Sequence, residues 1–158
     1  MPHRYAWATA VFLITGGLIA ATALADKPAP LTDTNAFRTA YGLSYFGFDL
    51  CGDAADGALY RKALAEKIDH CPFTVEAKAS FRQWAADTDA KGADQVKRYI
   101  AEHDKLPESL DPKRKNCRTE KDTPAYQKTI ALLRQYAQGK AKYDAVVPDA
   151  CDTKAGAL

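Results

Sequence analysis

Residues 35–51, NAFRTAYGLSYFGFDLC, place Phe37, Tyr41, Ser44, Phe48 and Cys51 at successive steps of four, three, four and three. Those steps keep all five on one side of an α-helix, so the stretch predicts a helix whose apolar seam ends on a cysteine. Leu43, Tyr45 and Phe46 fall off the seam, which makes the helix apolar on more than one side and predicts that other helices surround it. Gly42 and Gly47 thin it locally.

The same rhythm continues downstream. Residues 52–57, GDAADG, predict a turn that offers Asp53 or Asp56 as a cap for a second helix over about 58–69. That helix carries Tyr60, Leu64, Ile68 and Cys71 at helical spacing, and Pro72 closes it. Thr74 predicts the cap of a third helix with Ala77, Phe81, Trp84, Ala85 and Thr88 on one side. The pattern weakens over residues 87–94, DTDAKGAD, predicting a kink or tight turn near Gly92 and then a short fourth helix seamed by Ala93, Val96, Ile100 and His103. Residues 104–122 are polar, contain Pro107 and Pro112, and read as a long loop tacked down at Cys117. Thr123 followed by Pro124 is a helix start signal, and Tyr126, Ile130, Leu133 and Ala137 form the buried stripe of the last helix, which Gly139 ends or bends. No segment shows sustained strand alternation, so the fold class is an all-α bundle of four to five helices.

Upstream, the chain opens with a short basic stretch and then runs from Tyr5 to Ala25 without a charge. Ala23-Leu24-Ala25 supplies small residues at the positions a signal peptidase reads, so residues 1–25 are expected to be a cleaved secretory signal peptide. About 20 apolar residues would also span a bilayer, but the Gly16-Gly17 pair and the A-x-A end fit a removable signal better. Asp26 at the expected mature start leaves no cysteine for a lipid anchor. The expected organisation is then a flexible lead-in over 26–34, a disulfide-bonded domain over 35–151 and a disordered tail over 152–158, with no stable membrane span after cleavage.

Removing 25 of the 158 residues leaves 133, which suits one domain with its own core. Arg4 leaves with the signal, so 21 basic residues face 20 acidic ones, a balance that argues against a dedicated nucleic-acid binder. Cys51, Cys71, Cys117 and Cys151 form an even set in an exported small domain and predict two disulfides. None sits in a C-x-x-C pair, which excludes the thioredoxin-type motif, c-type haem attachment and common zinc-knuckle spacing. A straight second helix of about 12 residues holds its ends about 18 Å apart, too far for a Cys51 to Cys71 bridge. Cys51 is therefore expected to cross the bundle to Cys117 or Cys151, with the break near Gly92 deciding which; bridges between sequence neighbours, Cys51 to Cys71 and Cys117 to Cys151, are the alternative.

Several constellations bear on chemistry. Asp87, Asp89 and Gly92 match calcium-loop positions one, three and six, but Lys91 and Arg98 stand where oxygen ligands are required. His70 and His103 are the mature histidines; neither belongs to an i, i+3 or i, i+4 pair, and no metal site or cofactor is expected. Lys113, Arg114, Lys115 and Arg118 bracket Cys117 and form a candidate anion contact, with Glu108, Asp111, Glu120 and Asp122 close by to cancel most of its field. Phe37, Tyr41, Tyr45, Phe46 and Phe48 offer more ring area than one core face needs and are the candidate ligand surface. The glycine-rich phosphate and dinucleotide loops, G-x-S-x-G and H-E-x-x-H are absent, and the mature serines at 44, 80 and 109 lie in no recognisable nucleophile context. These readings lead to an expectation of a periplasmic or secreted binding or protein-interaction module, not an enzyme, with an unknown protein or small-molecule partner in the cell envelope. A metal or small-ligand carrier using the aromatic first helix and His103, and a small hydrolase without a known motif, are the alternatives.

Overall fold

The computed structural model describes residues 29–103, 105–107 and 111–152, apart from the side chains of Pro112, Arg114, Lys115 and Arg118. The expected signal peptide lies outside the described residues, as does the expected tail beyond Asp152. The described residues form an all-α bundle: α1 (Asn35–Ser44), a π-helical segment (Tyr45–Leu50), α2 (Ala54–His70), α3 (Val75–His103), α4 (Pro112–Lys121), α5 (Pro124–Ala137) and the short α6 (Tyr143–Val146). Among them no strand forms; Leu31 makes one isolated parallel bridge with Phe73, and its N–H donates to the Pro72 carbonyl at 2.9 Å.

The first helix buries the whole predicted seam, from Phe37 through Cys51. It also buries Tyr45, which the α-helical count puts elsewhere. The cause is the change of winding after Ser44: a four-residue step overshoots an α-turn of 3.6 residues, whereas the wider π-turn reverses that drift. Tyr41, Tyr45 and Asp49 thereby stay aligned along one side, while Phe48 turns to the other and packs against Tyr60 and Tyr126.

Helix α2 is the centre of the bundle and touches α1, the π-segment, α3, α5 and α6. Asp53 caps it, its carboxylate accepting the Ala55 N–H at 2.8 Å, so it starts earlier than the predicted turn allows. Leu64 and Ile68 meet Phe81 of α3 and Leu133 of α5 in the fully buried core. Helix α5 begins on the Thr123 hydroxyl, which accepts the Tyr126 N–H at 3.2 Å. It ends just before Gly139, which takes a φ of +70°, the left-handed conformation that glycine adopts without a Cβ penalty.

Three expectations about the elements are corrected. The third and fourth helices are one 29-residue helix, α3, with no break at Gly92. Its far seam is Gly92, Val96, Tyr99 and His103, while Ala93 and Ile100 face solvent. The polar stretch expected to be a loop folds as α4, because Asp111 accepts the Lys113 N–H at 3.1 Å ahead of a proline in the first turn and Cys117 is bridged.

The bridges are Cys51–Cys117 and Cys71–Cys151, with Cα separations of 4.8 and 5.5 Å. Cys51 crosses the bundle as its position at one end of a straight α2 requires; the choice of Cys117 follows from α4 folding back onto the π-segment, not from any break in α3. Lys67, buried on α2, pairs with Asp144 of α6, so the C-terminal region is held to the central helix by both an ion pair and a disulfide.

Candidate functional site

The π-segment inserts between α2 and α3, and two glycines make the room. A Cβ on Gly57 of α2 would come within 1.9 Å of the Asp49 carboxylate, and a Cβ on Gly92 of α3 within 2.7 Å of the Tyr45 ring. These close approaches explain why glycine is found inside two helices, where it costs about 1 kcal/mol relative to alanine. They also bring Tyr45 and Asp49 up to Arg61.

Arg61 is the hub. Its Nη1 and Nη2 donate to Asp49 Oδ1 and Oδ2 at 3.0 and 3.2 Å, a two-pronged pair in which both side chains are about nine-tenths buried. Nη1 also donates to Ser44 Oγ at 3.1 Å, and the guanidinium lies 3.9 Å from the centroid of the Tyr45 ring. Asp49 thus neutralises Arg61 in place.

Asp89, from the middle of α3, completes the cluster. The Tyr41 hydroxyl donates to both of its carboxylate oxygens at 2.9 Å, the Tyr45 hydroxyl donates to Oδ1, and Arg61 Nε stands 3.8 Å away. Burial, and then the hydrogen bond to Asp89, push both phenols well above their ordinary pKa. They therefore stay protonated at neutral pH and act as donors. Unlike the other members, the Asp89 side chain is 51% exposed. It lines a groove of about 540 Å³ between α2 and α3, together with Ala54, Ala58, Ala65, Ala93 and Lys62 and above the buried Asp49 and Arg61.

Of the five candidate ligand-surface rings, Phe37, Tyr41, Tyr45 and Phe48 are buried and Phe46 is half-buried. Tyr41 and Tyr45 reach the alanine-walled groove with their hydroxyl ends, while Phe48 lines a second, smaller groove of about 290 Å³ with Leu43, Tyr60 and Tyr126. Phe46 meets a residue from the basic candidate set: the Lys113 ammonium stands 4.5 Å from the Phe46 centroid and 4.4 Å from that of Tyr99. The side chains of Arg114, Lys115 and Arg118 lie outside what the structure describes. His103 stacks on Tyr99 with ring centroids 4.0 Å apart, and His70 stacks on Tyr143 at 4.7 Å. Among the described residues, no three His, Cys, Asp or Glu side chains group so as to hold a metal ion.

Sequence reasoning missed Asp49, Arg61 and Asp89. In the sequence Asp89 stands out only as a calcium-loop position, and that segment is plain helix in α3. The available signal was the four-residue rhythm Tyr41, Tyr45, Asp49, together with glycines inside two otherwise helical patterns, which mark close approach of another element. No family model, curated protein or solved structure matches the chain.

Proposed function

We propose that this chain is an exported binding module, periplasmic or secreted, that holds a protein partner in the groove between α2 and α3. The observation that carries the reading is the half-exposed Asp89 carboxylate, held by two phenols in a groove lined largely by alanine. Ligand sites combine an apolar lining with a few fixed polar groups, and π-helical turns concentrate at functional sites. Here the π-turn is what aligns Tyr45 and Asp49 on Arg61. Protonated phenols and an arginine already closed by a carboxylate suit holding a partner better than reacting with one. Two disulfides suit an oxidising compartment, and among the described residues no helix is long and apolar enough to cross a membrane.

Native mass spectrometry of the protein purified gently from its own compartment tests this reading, with Ala93→Trp as the comparison because an indole there fills the groove from an exposed position on α3. A protein partner retained by the natural chain and lost from Ala93→Trp supports the module. A retained small molecule that Ala93→Trp displaces would favour a carrier instead. Identical spectra for the two chains would count against the groove altogether.

A further inference from the structure

Resting on the groove reading, we infer that the group docking there is a basic side chain, arginine or lysine, of a peptide segment, and that Asp89 is its anchor. A carboxylate has about four acceptor sites; the Tyr41 proton, shared between both oxygens, and the Tyr45 proton on Oδ1 engage three of them. Asp89 lines the groove and half of its side chain is exposed, which leaves an edge of the carboxylate open to a ligand. A cation is the complementary group for that edge.

The surrounding charges favour the same ligand. Asp49 satisfies Arg61 at 3.0 and 3.2 Å, leaving Asp89, among the described residues, only the 3.8 Å approach of Arg61 Nε. Lys62 on α2 is drawn toward α5, its ammonium lying 5.6 Å from the centroid of the Tyr136 ring. Asp49 and Asp89 together exceed Arg61 by one carboxylate, and Lys62 is the other cation on the lining, its ammonium turned to the Tyr136 ring. The alanine walls accept the aliphatic stem of lysine or arginine while its charged head reaches the carboxylate, and Tyr41 and Tyr45 hold that carboxylate in a fixed orientation before the ligand arrives.

Chemical-shift titration of the full mature protein tests the inference with four probes: the acetylated, amidated forms of arginine, lysine, citrulline and glutamate. The arginine or lysine probe is expected to shift Tyr41, Tyr45, Ala58 and Ala93 saturably, with the affinity falling about tenfold in Asp89→Asn, as loss of a charge-assisted hydrogen bond implies. The neutral citrulline probe is expected to bind at least as weakly as the basic probe does to that variant. Asn keeps an acceptor for the phenols, and Ala58→Trp, exposed on α2, gives a second variant that blocks entry without touching the cluster. Equal binding of citrulline, unchanged affinity in Asp89→Asn, or no shift with either basic probe overturns the inference. Shifts of the same residues by the glutamate probe alone overturn it too, while leaving the groove itself standing as a site.

Discussion

Replacing Gly92 with alanine gives opposite outcomes according to whether Tyr45 lies against it. On an open helix surface the change stabilises by about 1 kcal/mol through helix propensity alone. Here the new Cβ meets Cε2, Cζ and Cε1 of Tyr45 at 2.7, 2.7 and 2.8 Å, closer than nonbonded carbons approach. The ring has nowhere cheap to go: Arg61 lies 3.9 Å from its centroid and its hydroxyl is bonded to Asp89. Overpacking of this kind costs about 1–3 kcal/mol, so Gly92→Ala is expected to destabilise by a net of about 1 kcal/mol, or about 4 °C in Tm for a domain of this size. In a Tyr45→Ala background the same substitution is expected to stabilise by about 1 kcal/mol, giving a coupling of about 2 kcal/mol between the two sites. Urea denaturation of the four chains measures this. A Gly92→Ala protein that is more stable than the natural one would refute the packing of the π-segment against α3.

Other perturbations follow from the same contacts. Peptide mapping of the unreduced protein is expected to recover Cys51–Cys117 and Cys71–Cys151 fragments, and replacing Cys71 and Cys151 by serine to cost about 2–5 kcal/mol in urea denaturation, because that bridge closes a separation of 80 residues. Asp49→Ala leaves the buried Arg61 short of its main partner and is expected to lose about 3 kcal/mol, whereas the joint change of Asp49 to leucine and Arg61 to methionine loses much less. Tyr41, Tyr45 and Tyr60 have pKa values raised chiefly by burial, so the folded chain keeps phenolic protons that the unfolded chain releases near pH 10. That stability is fully present below about pH 10 and falls as pH rises above it. Phenolate absorbance is expected to include a step coincident with loss of helical circular dichroism, and a smooth titration of all the tyrosines with the helices intact would contradict it.

The fold class was legible because it rests on local signals: the seam from Phe37 to Cys51, the Thr74 and Thr123 caps, and a second helix long enough to forbid a Cys51–Cys71 bridge. The errors share one cause, the weighing of a local pattern without the element that packs on it. Gly92 among polar residues resembles a break, yet it keeps its place in α3 because the Tyr45 ring fills the space a side chain would take. The segment over 112–121 has almost no apolar periodicity to show a helix, although Asp111 before Pro112 is the same kind of start signal as Thr123 before Pro124. The site was the least legible part. Asp49, Arg61 and Asp89 lie far apart in sequence and meet only because a π-turn, which no simple periodicity reveals, changes the direction in which residues 45–50 point.

The groove between α2 and α3 is the proposed meeting place of this chain and its partner. Placing a photo-cross-linking residue at Ala58, on the groove wall, and at Val75, which is 79% exposed at the start of α3, tests it within the native compartment. A discrete protein adduct is expected from Ala58 that Asp89→Asn weakens and Ala93→Trp abolishes, with none from Val75. Adducts of equal yield from both positions, or an Ala58 adduct indifferent to Ala93→Trp, would contradict it.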